Sequence, residues 1–240
     1  MNLIKYSLYI IAVQACCLSC KKEFNNVKTV PISAITIVNA VVNANPLVAD
    51  FSGADSVAAF YSTTTQIGYG SFYEYSLPSS KTPAAVYQLS DTTNPFYKET
   101  INLQPDGVYS LFLSGADTNH VDTLLTQDNP PYHSNADSTA GIRFVNLSTG
   151  SSPISIDIQG ESNGSEASSL AYQAITNFKN YPATQEVTQY NFEIRDAASG
   201  NLITTYTYTT APFQNITIAI IGSEDPSVNV PVSVIQVNNY

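Results

Sequence analysis

Cysteine and histidine are scarce in this chain. The three cysteines, Cys16, Cys17 and Cys20, all lie within the first 20 residues, so the rest of the chain contains no disulfide. The two histidines, His120 and His133, stand in polar, loop-like sequence without a second ligand at zinc-binding spacing. Motifs of a nucleophile elbow, a phosphate-binding loop, a zinc protease and a dinucleotide-binding fold are also missing. We therefore expect a protein that is not an enzyme and that uses no metal and no cofactor.

Basic residues are few as well. Nine Lys and Arg stand against 19 Asp and Glu, which gives a net charge of −10. Such a chain repels a phosphate backbone, so we expect no nucleic-acid partner. Charged residues make up only 12 % and tryptophan is absent, whereas tyrosine occurs 16 times. A chain rich in uncharged polar, β-branched and tyrosine residues is typical of an exported β protein.

The sequence has no apolar run long enough for a transmembrane helix. A shorter apolar run lies near its start. Residues 1–19 have the pattern of a signal peptide, with Lys5 as the positive charge. The apolar run over residues 6–18 is too short to cross a bilayer. We therefore predict cleavage of residues 1–19 during export.

The end of this run resembles a bacterial lipobox. Leu18-Ser19-Cys20 places a small residue just before a cysteine, although Cys17 stands where an aliphatic residue is usual. We predict that Cys20 carries the lipid, as palmitate-type acyl chains, because several chains on one cysteine anchor a protein stably. Cys16 is a second candidate, and an ordinary signal peptide is the alternative. Residues 20–33 then form a lipid-anchored tether.

The residues after Cys20 indicate a location. Lys21-Lys22-Glu23 resembles the signal that directs lipoproteins of Bacteroidota to the cell surface. An Asp directly after the cysteine, which retains lipoproteins in the inner membrane of enteric bacteria, is absent. We expect a lipid-anchored outer-membrane protein on the cell surface, with a periplasm-facing orientation as the alternative.

An internal repeat organises the rest of the chain. Residues 34–53 recur as residues 141–160, without a gap and at an offset of 107 residues. The two copies share these positions: Ile35/Ile142, Val38/Val145, Asn39/Asn146, Pro46/Pro153, Asp50/Asp157 and Gly53/Gly160. An offset of this size is the length of one small domain. We predict a first domain over residues 34–128, a linker over 129–139 and a second domain over 140–240.

Alternation of apolar and polar residues predicts strands in both copies. The predicted strands are 34–40, one starting at Pro46, 68–77, 84–89, 97–103, 108–114 and 121–126, then 141–147, 154–158, 190–196, 216–222 and 230–237. Residues 190–196 are matched to residues 85–91 of the first copy. About seven short strands per 100 residues is the pattern of an immunoglobulin-like sandwich. Leu103-Gln104-Pro105-Asp106-Gly107-Val108-Tyr109 also resembles a tyrosine corner. The predicted fold class is all-β, with two tandem Ig-like β-sandwich domains after a lipoprotein signal peptide.

The repeated polar residues receive structural interpretations. Alternation places Arg143 on the side opposite Ile142 and Phe144, which identifies the Ile/Phe side as the core. Asn39 and Asn146 fall on that core side of their strands, where a buried amide must be hydrogen-bonded. We predict that each closes the following loop through its backbone, with ligand contact as the alternative. Asp50 and Asp157 fall on the outward side and are predicted to be solvated.

The repeated motifs resemble a known family. Ile35-Thr36-Ile37-Val38-Asn39, with the segment from Pro46 to Gly53, is similar to the domain-of-unknown-function 4397 (DUF4397) family of bacterial cell-envelope lipoproteins. Arg143-Phe144-Val145-Asn146, with the segment from Pro153 to Gly160, is similar in the same way. The resemblance implies two tandem copies of an Ig-like fold in the cell envelope, and it supplies no catalytic residue.

Tyrosines on one predicted strand are candidates for a ligand surface. Tyr69, Tyr73 and Tyr75 share one face by alternation, and exposed rings there would stack on sugars or fill a partner's pocket. Packing within the sheet is the alternative. Exposed, flat rings would indicate a glycan-binding surface, whereas buried rings would indicate a spacer.

Two further patterns concern modification and cation binding. Four Asp-Ser or Asp-Thr sites resemble the O-glycosylation pattern of Bacteroidota, with acceptors Ser56, Thr92, Thr123 and Ser138 at predicted turns, loops or strand ends. The acidic segments 117–122 and 128–137 offer oxygen ligands for calcium, but without the spacing of a calcium loop, so a solvated linker is favoured.

The function that follows from these patterns is non-catalytic. We expect a lipid-anchored cell-envelope protein that acts as a structural, adhesive or protein-interaction module. The alternative is a glycan-binding accessory lipoprotein of a polysaccharide-uptake system.

Overall fold

The computed structural model describes residues 29–53, 65–134 and 136–239. The chain divides into two units, Met1–Val30 and Pro31–Tyr240. The predicted signal peptide, Cys20 and Ser56 lie outside the described residues. No helix within the described ranges is long and apolar enough to cross a membrane.

The first repeat forms seven strands. They are β1 Ile32–Val41, β2 Leu47–Asp50, β3 Ser71–Pro78, β4 Lys81–Gln88, β5 Tyr97–Asn102, β6 Val108–Asp117 and β7 His120–Asp128. These strands build a four-stranded sheet in the order β3-β1-β6-β7 and a three-stranded sheet in the order β2-β4-β5. β1 runs parallel to β6, and the other neighbours are antiparallel.

The second repeat forms eight strands. They are β8 Thr139–Asn146, β9 Ile154–Ile158, β10 Ala167–Leu170, β11 Lys179–Pro182, β12 Gln189–Asp196, β13 Leu202–Thr209, β14 Asn215–Ile221 and β15 Ser233–Asn238. Their sheets have the orders β11-β8-β14-β15 and β10-β9-β12-β13. The parallel pair recurs: Ile142 lies opposite Ile216, as Ile35 lies opposite Tyr109 in the first repeat.

The predicted all-β, Ig-like sandwich is confirmed. In the first repeat a core that includes Ile35, Leu47, Val86 and Leu111 lies between the two sheets. In the second repeat a core around Ile142, Phe144, Ile156 and Phe192 occupies the equivalent place. Alternation places these side chains on the inner faces, because successive residues of a strand point to opposite sides of the sheet.

The repeated asparagines have the predicted structural role. The side-chain amide of Asn39 donates to the carbonyl of Ile67 at 3.0 Å, and its oxygen accepts from the backbone N–H of Val41 at 3.1 Å. Asn146 donates to the carbonyl of Leu170 at 3.1 Å and accepts from the N–H of Ser148 at 3.0 Å. Both side chains are fully buried. Each asparagine therefore ties the end of its strand to the segment that follows.

The predicted tyrosine corner is present in the first repeat. The hydroxyl of Tyr109 accepts from the N–H of Gln104 at 3.0 Å and donates to the carbonyl of Asn102 at 3.3 Å. A Cβ at Gly107 would lie only 2.7 Å from the Tyr109 ring, so a glycine lets the turn pass close to it. Ile216 occupies the equivalent register position in the second repeat.

Some details of the predicted strands were wrong. Residues 190–196 were matched to residues 85–91, but the ladders pair Glu193 with Asp157 as they pair Ala85 with Asp50, which is a shift of three residues. β10, β11 and β13 were not predicted, because β10 and β11 are only four residues long and the Thr- and Tyr-rich sequence of β13 carries little apolar alternation. The tertiary ladders, rather than local pattern, fix these features.

The sheets β3-β1-β6-β7 and β11-β8-β14-β15 pack against each other within residues 31–240. We call the shared apolar contact the interface cluster; its buried members are Val38, Ala40, Phe112, Val145, Leu147, Ala219, Ile221 and Val237. These residues lie on the faces opposite the two sandwich cores. Both faces of β1, β6, β8 and β14 are therefore largely buried, which explains their nearly continuous apolar sequence.

Candidate functional site

The three candidate tyrosines do not share one environment. Tyr69 lies in the turn before β3 and packs with Phe72 against the interface cluster. Tyr75 is half-buried against the first core, and Tyr73 is exposed at 43 %. The alternation that grouped the three breaks at Gly70, whose positive φ of 71° turns the chain before β3 begins.

The rings of Tyr73 and Tyr75 are not coplanar. Their centroids lie 4.9 Å apart with an angle of 66° between the planes, and Tyr75 makes a second edge-on contact with Phe51 at 5.1 Å. Burial raises the pKa of Tyr75 to about 12. Among the described residues, the buried hydroxyls of Tyr69 and Tyr75 have no hydrogen-bond partner. These rings are arranged for packing rather than as a flat platform.

The glycosylation candidates lie in different settings. Thr92 is half-buried in the turn after β4, next to Asp91, whose pKa is lowered to about 2 by hydrogen bonds from Asn94 and Thr93. Ser138 is exposed just before β8. Thr123 lies inside β7 rather than at a turn or strand end, and it is half-buried. Of the described acceptors, Ser138 is therefore the most accessible.

The interface between the repeats contains a buried ion pair. Nη1 of Arg143 lies 2.8 Å from Oδ1 of Asp128, with side-chain exposures of 5 % and 0 %. Arg143 also donates to the hydroxyls of Thr217 at 2.8 Å and Ser110 at 3.2 Å. Asp128 accepts further bonds from Ser110 at 2.6 Å and Thr126 at 2.7 Å. The pair thus joins β7 of the first repeat to β8 of the second.

This pair corrects two expectations. Arg143 marks the face opposite the core, as predicted, but that face meets the other repeat instead of solvent. Asp128 was assigned to a solvated segment, yet it is buried in the same network. The following residues are also held in place: the side-chain amide of Asn215 donates to the carbonyl of Pro131 at 3.0 Å, and Nε2 of His133 lies 3.1 Å from Oδ1 of Asn215.

A second polar contact lies at the same interface. The hydroxyls of Tyr172 and Ser114 are 2.8 Å apart, and Tyr172 donates to Oδ2 of Asp122 at 3.1 Å. Burial raises the pKa of Tyr172 to about 12. The side-chain amide of Gln173 donates to the same Ser114 hydroxyl at 3.3 Å. Hydrogen bonds as well as apolar contacts therefore hold the two repeats in one relative position.

The repeated aspartates are buried, contrary to the prediction that they are solvated. Asp50 is 4 % exposed and accepts from the N–H of Ser52 at 2.8 Å. Asp157 is 1 % exposed, accepts from the N–H of Gly164 at 3.4 Å, and lies 3.6 Å from Nε of Arg195. Both aspartates do lie on the outward face, but neighbouring side chains cover that face. Alternation alone cannot separate a covered outward face from a solvated one.

The acidic segments do not assemble a cation site in the described part of the chain. Within it, no group of three or more His, Cys, Asp or Glu side chains could hold a metal ion. Oδ1 of Asp117 instead accepts from the N–H groups of Asn119 at 2.7 Å and His120 at 3.0 Å, which closes the β6–β7 turn. These bonds lower the pKa of Asp117.

Comparison with known proteins gives no assigned family. No protein-family model matches the chain, and no curated protein matches its sequence. The chain is similar to a family 26 carbohydrate-binding module of Eubacterium rectale Amy13K, solved with maltoheptaose, at 11 % identity over 86 % of this chain and 97 % of that chain, with a TM-score of 0.27.

Two streptococcal structures are similar at the same level. One is an alpha-glucan-binding virulence factor, at 10 % identity over 85 % of this chain and 96 % of that chain, with a TM-score of 0.25. The other contains family 41 carbohydrate-binding modules from virulence factors, at 11 % identity over 80 % and 94 %, with a TM-score of 0.25. Scores this low do not assign a ligand to this chain.

Proposed function

We propose that this chain is a non-catalytic, lipid-anchored protein of the outer membrane and cell surface. Its two β-sandwich repeats serve together as a rigid structural, adhesive or protein-interaction module. In this proposal the chain is a cell-envelope protein of the DUF4397 type, exported by residues 1–19 and held to the membrane by acyl chains on Cys20.

The observation that carries the proposal is the shared interface of the two repeats. Inter-domain contacts within a chain are usually polar enough to allow relative motion. Here an apolar cluster and the Arg143–Asp128 pair are both buried between the sheets. A module of this kind transmits position without bending, which suits a spacer or an adhesive stalk at a membrane surface.

The experiment has two parts on intact cells. Cells expressing the wild-type chain, Cys20→Ala or Cys16→Ala are labelled with palmitate, and the protein is then exposed to an external protease. We expect label in the wild type and in Cys16→Ala, loss of label in Cys20→Ala, and digestion of the wild-type protein on intact cells. Absence of label in all three, or protection from the protease, would contradict the surface anchor. Label lost only in Cys16→Ala would move the anchor to that residue.

The proposal also includes glycosylation of the protein, which depends on its export to the cell surface. If the protein is modified at the Bacteroidota-type sites, intact-mass spectrometry of the native protein gives a mass above that of the acylated chain. We expect the increment to disappear in Ser138→Ala, because Ser138 is the most exposed of the described acceptors. A native mass that equals the acylated, unmodified chain would remove glycosylation from the proposal.

The alternative, a glycan-binding accessory of a polysaccharide-uptake system, needs a different surface from the one first proposed. Tyr73 is exposed, but Tyr75 meets it edge-on and Tyr69 packs against the interface cluster. This geometry favours sheet packing for the three tyrosines. A glycan-binding function would therefore need a sugar-binding surface other than these three tyrosines.

A further inference from the structure

The strand β13 is the last strand of the sheet β10-β9-β12-β13. Its eight residues are threonine, tyrosine, leucine and isoleucine only, without charge, proline or glycine. β-Branched and aromatic residues of this kind favour extended backbone. The outer N–H and C=O groups of such an edge have no ladder partner in the described part of the chain. A long edge strand without charge or proline is a template for pairing with another strand.

The ladder between β12 and β13 shows which backbone groups point outward. The N–H of Thr210 donates to the carbonyl of Thr188 at 2.9 Å, one step beyond the end of the strand pair. In an antiparallel ladder, residues that exchange hydrogen bonds with the neighbouring strand alternate with residues that do not. The backbone groups of three β13 residues therefore point away from β12, and their side chains are exposed: Thr205, Thr207 and Thr209.

Other edge strands carry features that discourage such pairing. β2, β10 and β11 are only four residues long, and β11 ends in Pro182. β3 contains Glu74 and ends in Pro78, and β7 contains His120 and Asp122. Short length, charge and proline are the usual devices that keep an edge from pairing with another chain. Among the described strands, β13 is the longest edge that has none of them.

The equivalent edge of the first repeat is charged. β5 pairs with β4 as β13 pairs with β12, and β4 lies beside Asp50 as β12 lies beside the repeated Asp157. β5 contains Lys98 and Glu99. The second repeat therefore lacks, at this edge, the charges that the first repeat has.

The facing sheet ends in an uncharged strand on the same side of the sandwich. β15 is the last strand of the sheet β11-β8-β14-β15, and it contains no charged residue. The hydroxyl of Tyr206 in β13 donates to Oε1 of Gln236 in β15 at 3.0 Å, so the two edges border one side of the second repeat. A molecule that approaches β13 from this side therefore meets two uncharged edges.

We infer that two copies of this chain associate along β13, which extends the sheet β10-β9-β12-β13 across a two-fold axis. In an antiparallel pair of β13 strands the outward residues face one another, so threonine lies opposite threonine, a favourable cross-strand pair. Two copies of a chain with a net charge of −10 repel each other, and the uncharged edge lets their backbones meet without like charges opposite. The two-fold axis closes the contact as a dimer. The inference goes beyond the proposed function and does not depend on the lipid anchor.

Sedimentation equilibrium of the full chain tests the inference, in a detergent matched to the density of the buffer. Protein concentrations of about 1–100 µM cover the range in which a modest interface associates. Thr205→Pro removes an outward N–H without removing a bond to β12, as proline is tolerated on the open side of an edge strand. Thr205→Lys/Thr207→Lys adds charge to the edge, and Thr205→Val/Thr207→Val keeps it uncharged and β-branched. Thr100→Lys/Asn102→Lys adds the same charge at two exposed positions of β5 and is the matched control.

We expect the wild type, the valine variant and the β5 control to reach the mass of two chains. The dissociation constant should rise at least about tenfold in Thr205→Pro and in Thr205→Lys/Thr207→Lys. Thermal unfolding establishes that each variant is folded, and the lysine variant on β13 decides if Thr205→Pro is not. The inference is wrong if the wild type stays monomeric over the whole range, or if the lysine variant on β13 associates as tightly as the wild type. Equal dissociation of the β5 control would place the contact in the first repeat and would also overturn it.

Discussion

Replacing Arg143 by methionine should destabilise the whole two-repeat unit. Methionine retains much of the apolar stem but removes the donors to Asp128, Thr217 and Ser110. Asp128, whose side chain is fully buried, then keeps its charge without a cation. Removing one partner of a buried pair costs about 3–5 kcal/mol. Because Asp128 retains hydrogen bonds from two hydroxyls, we expect the lower end of that range, about 3 kcal/mol.

The assay is urea unfolding followed by circular dichroism, with thermal melting as a second measure. A loss of about 3 kcal/mol corresponds to a fall in Tm of about 6–12 °C for a unit of this size. His120→Gln is the control, because His120 contacts Asp117 with side chains that are 82 % and 49 % exposed. A contact between two exposed side chains contributes about 0–1 kcal/mol, so the control should change stability little.

A double variant separates the charge from the packing. Asp128→Asn in the Arg143→Met background removes the uncompensated carboxylate, so it should restore part of the lost stability. If the free energy of unfolding of Arg143→Met lies within about 1 kcal/mol of the wild-type value, the reasoning is refuted. A loss that small is what the removal of a solvent-exposed ion pair causes. Additive losses in the double variant would refute it as well.

Three further outcomes follow from individual side chains. Asn39→Ala and Asn146→Ala should each lower the free energy of unfolding by about 2–4 kcal/mol, because each removes two buried hydrogen bonds. Urea unfolding should give equal losses for the two variants. A loss below about 1 kcal/mol in either variant would contradict the role of that asparagine. Tyr75→Phe should leave the free energy of unfolding unchanged or raise it by up to about 1 kcal/mol, because the buried Tyr75 hydroxyl has no hydrogen-bond partner among the described residues. A loss of more than about 1 kcal/mol by urea unfolding would contradict this and would mean that the hydroxyl is hydrogen-bonded. Burial raises the pKa of Tyr172 to about 12, so the folded state keeps a proton that the unfolded state releases near pH 10. The free energy of unfolding should therefore fall as the pH rises from about 10 to 12. Tyr172→Phe should make this fall with pH less steep, and an unchanged dependence on pH would contradict the prediction.

Local pattern was sufficient for much of the fold. Clean alternation identified β9 with its bounds, and the repeat offset of 107 residues correctly aligned β1 with β8 and β6 with β14. Tyr109 and the two asparagines were found because a buried polar group must be bonded and each stands at a strand end. These features depend on neighbours that are close in the sequence or on the repeat itself.

Features that depend on packing between sheets were not found. Asp128 was assigned to a solvated segment, and the burial of Arg143 on the face opposite the core was not predicted. Alternation gives two faces but does not say what covers the second one. The apolar residues Val38 and Val145 on that second face were the available signal, since a strand that is apolar on both sides is buried on both. Asp50 was misplaced for the same reason.

The central claim is that both repeats form one rigid body, and differential scanning calorimetry of the full chain tests it most directly. If the interface cluster and the Arg143–Asp128 pair couple the two sandwiches, the protein unfolds in one transition whose calorimetric and van't Hoff enthalpies agree. Two resolved transitions, or a calorimetric enthalpy about twice the van't Hoff value, would mean that the repeats unfold independently and would contradict the account.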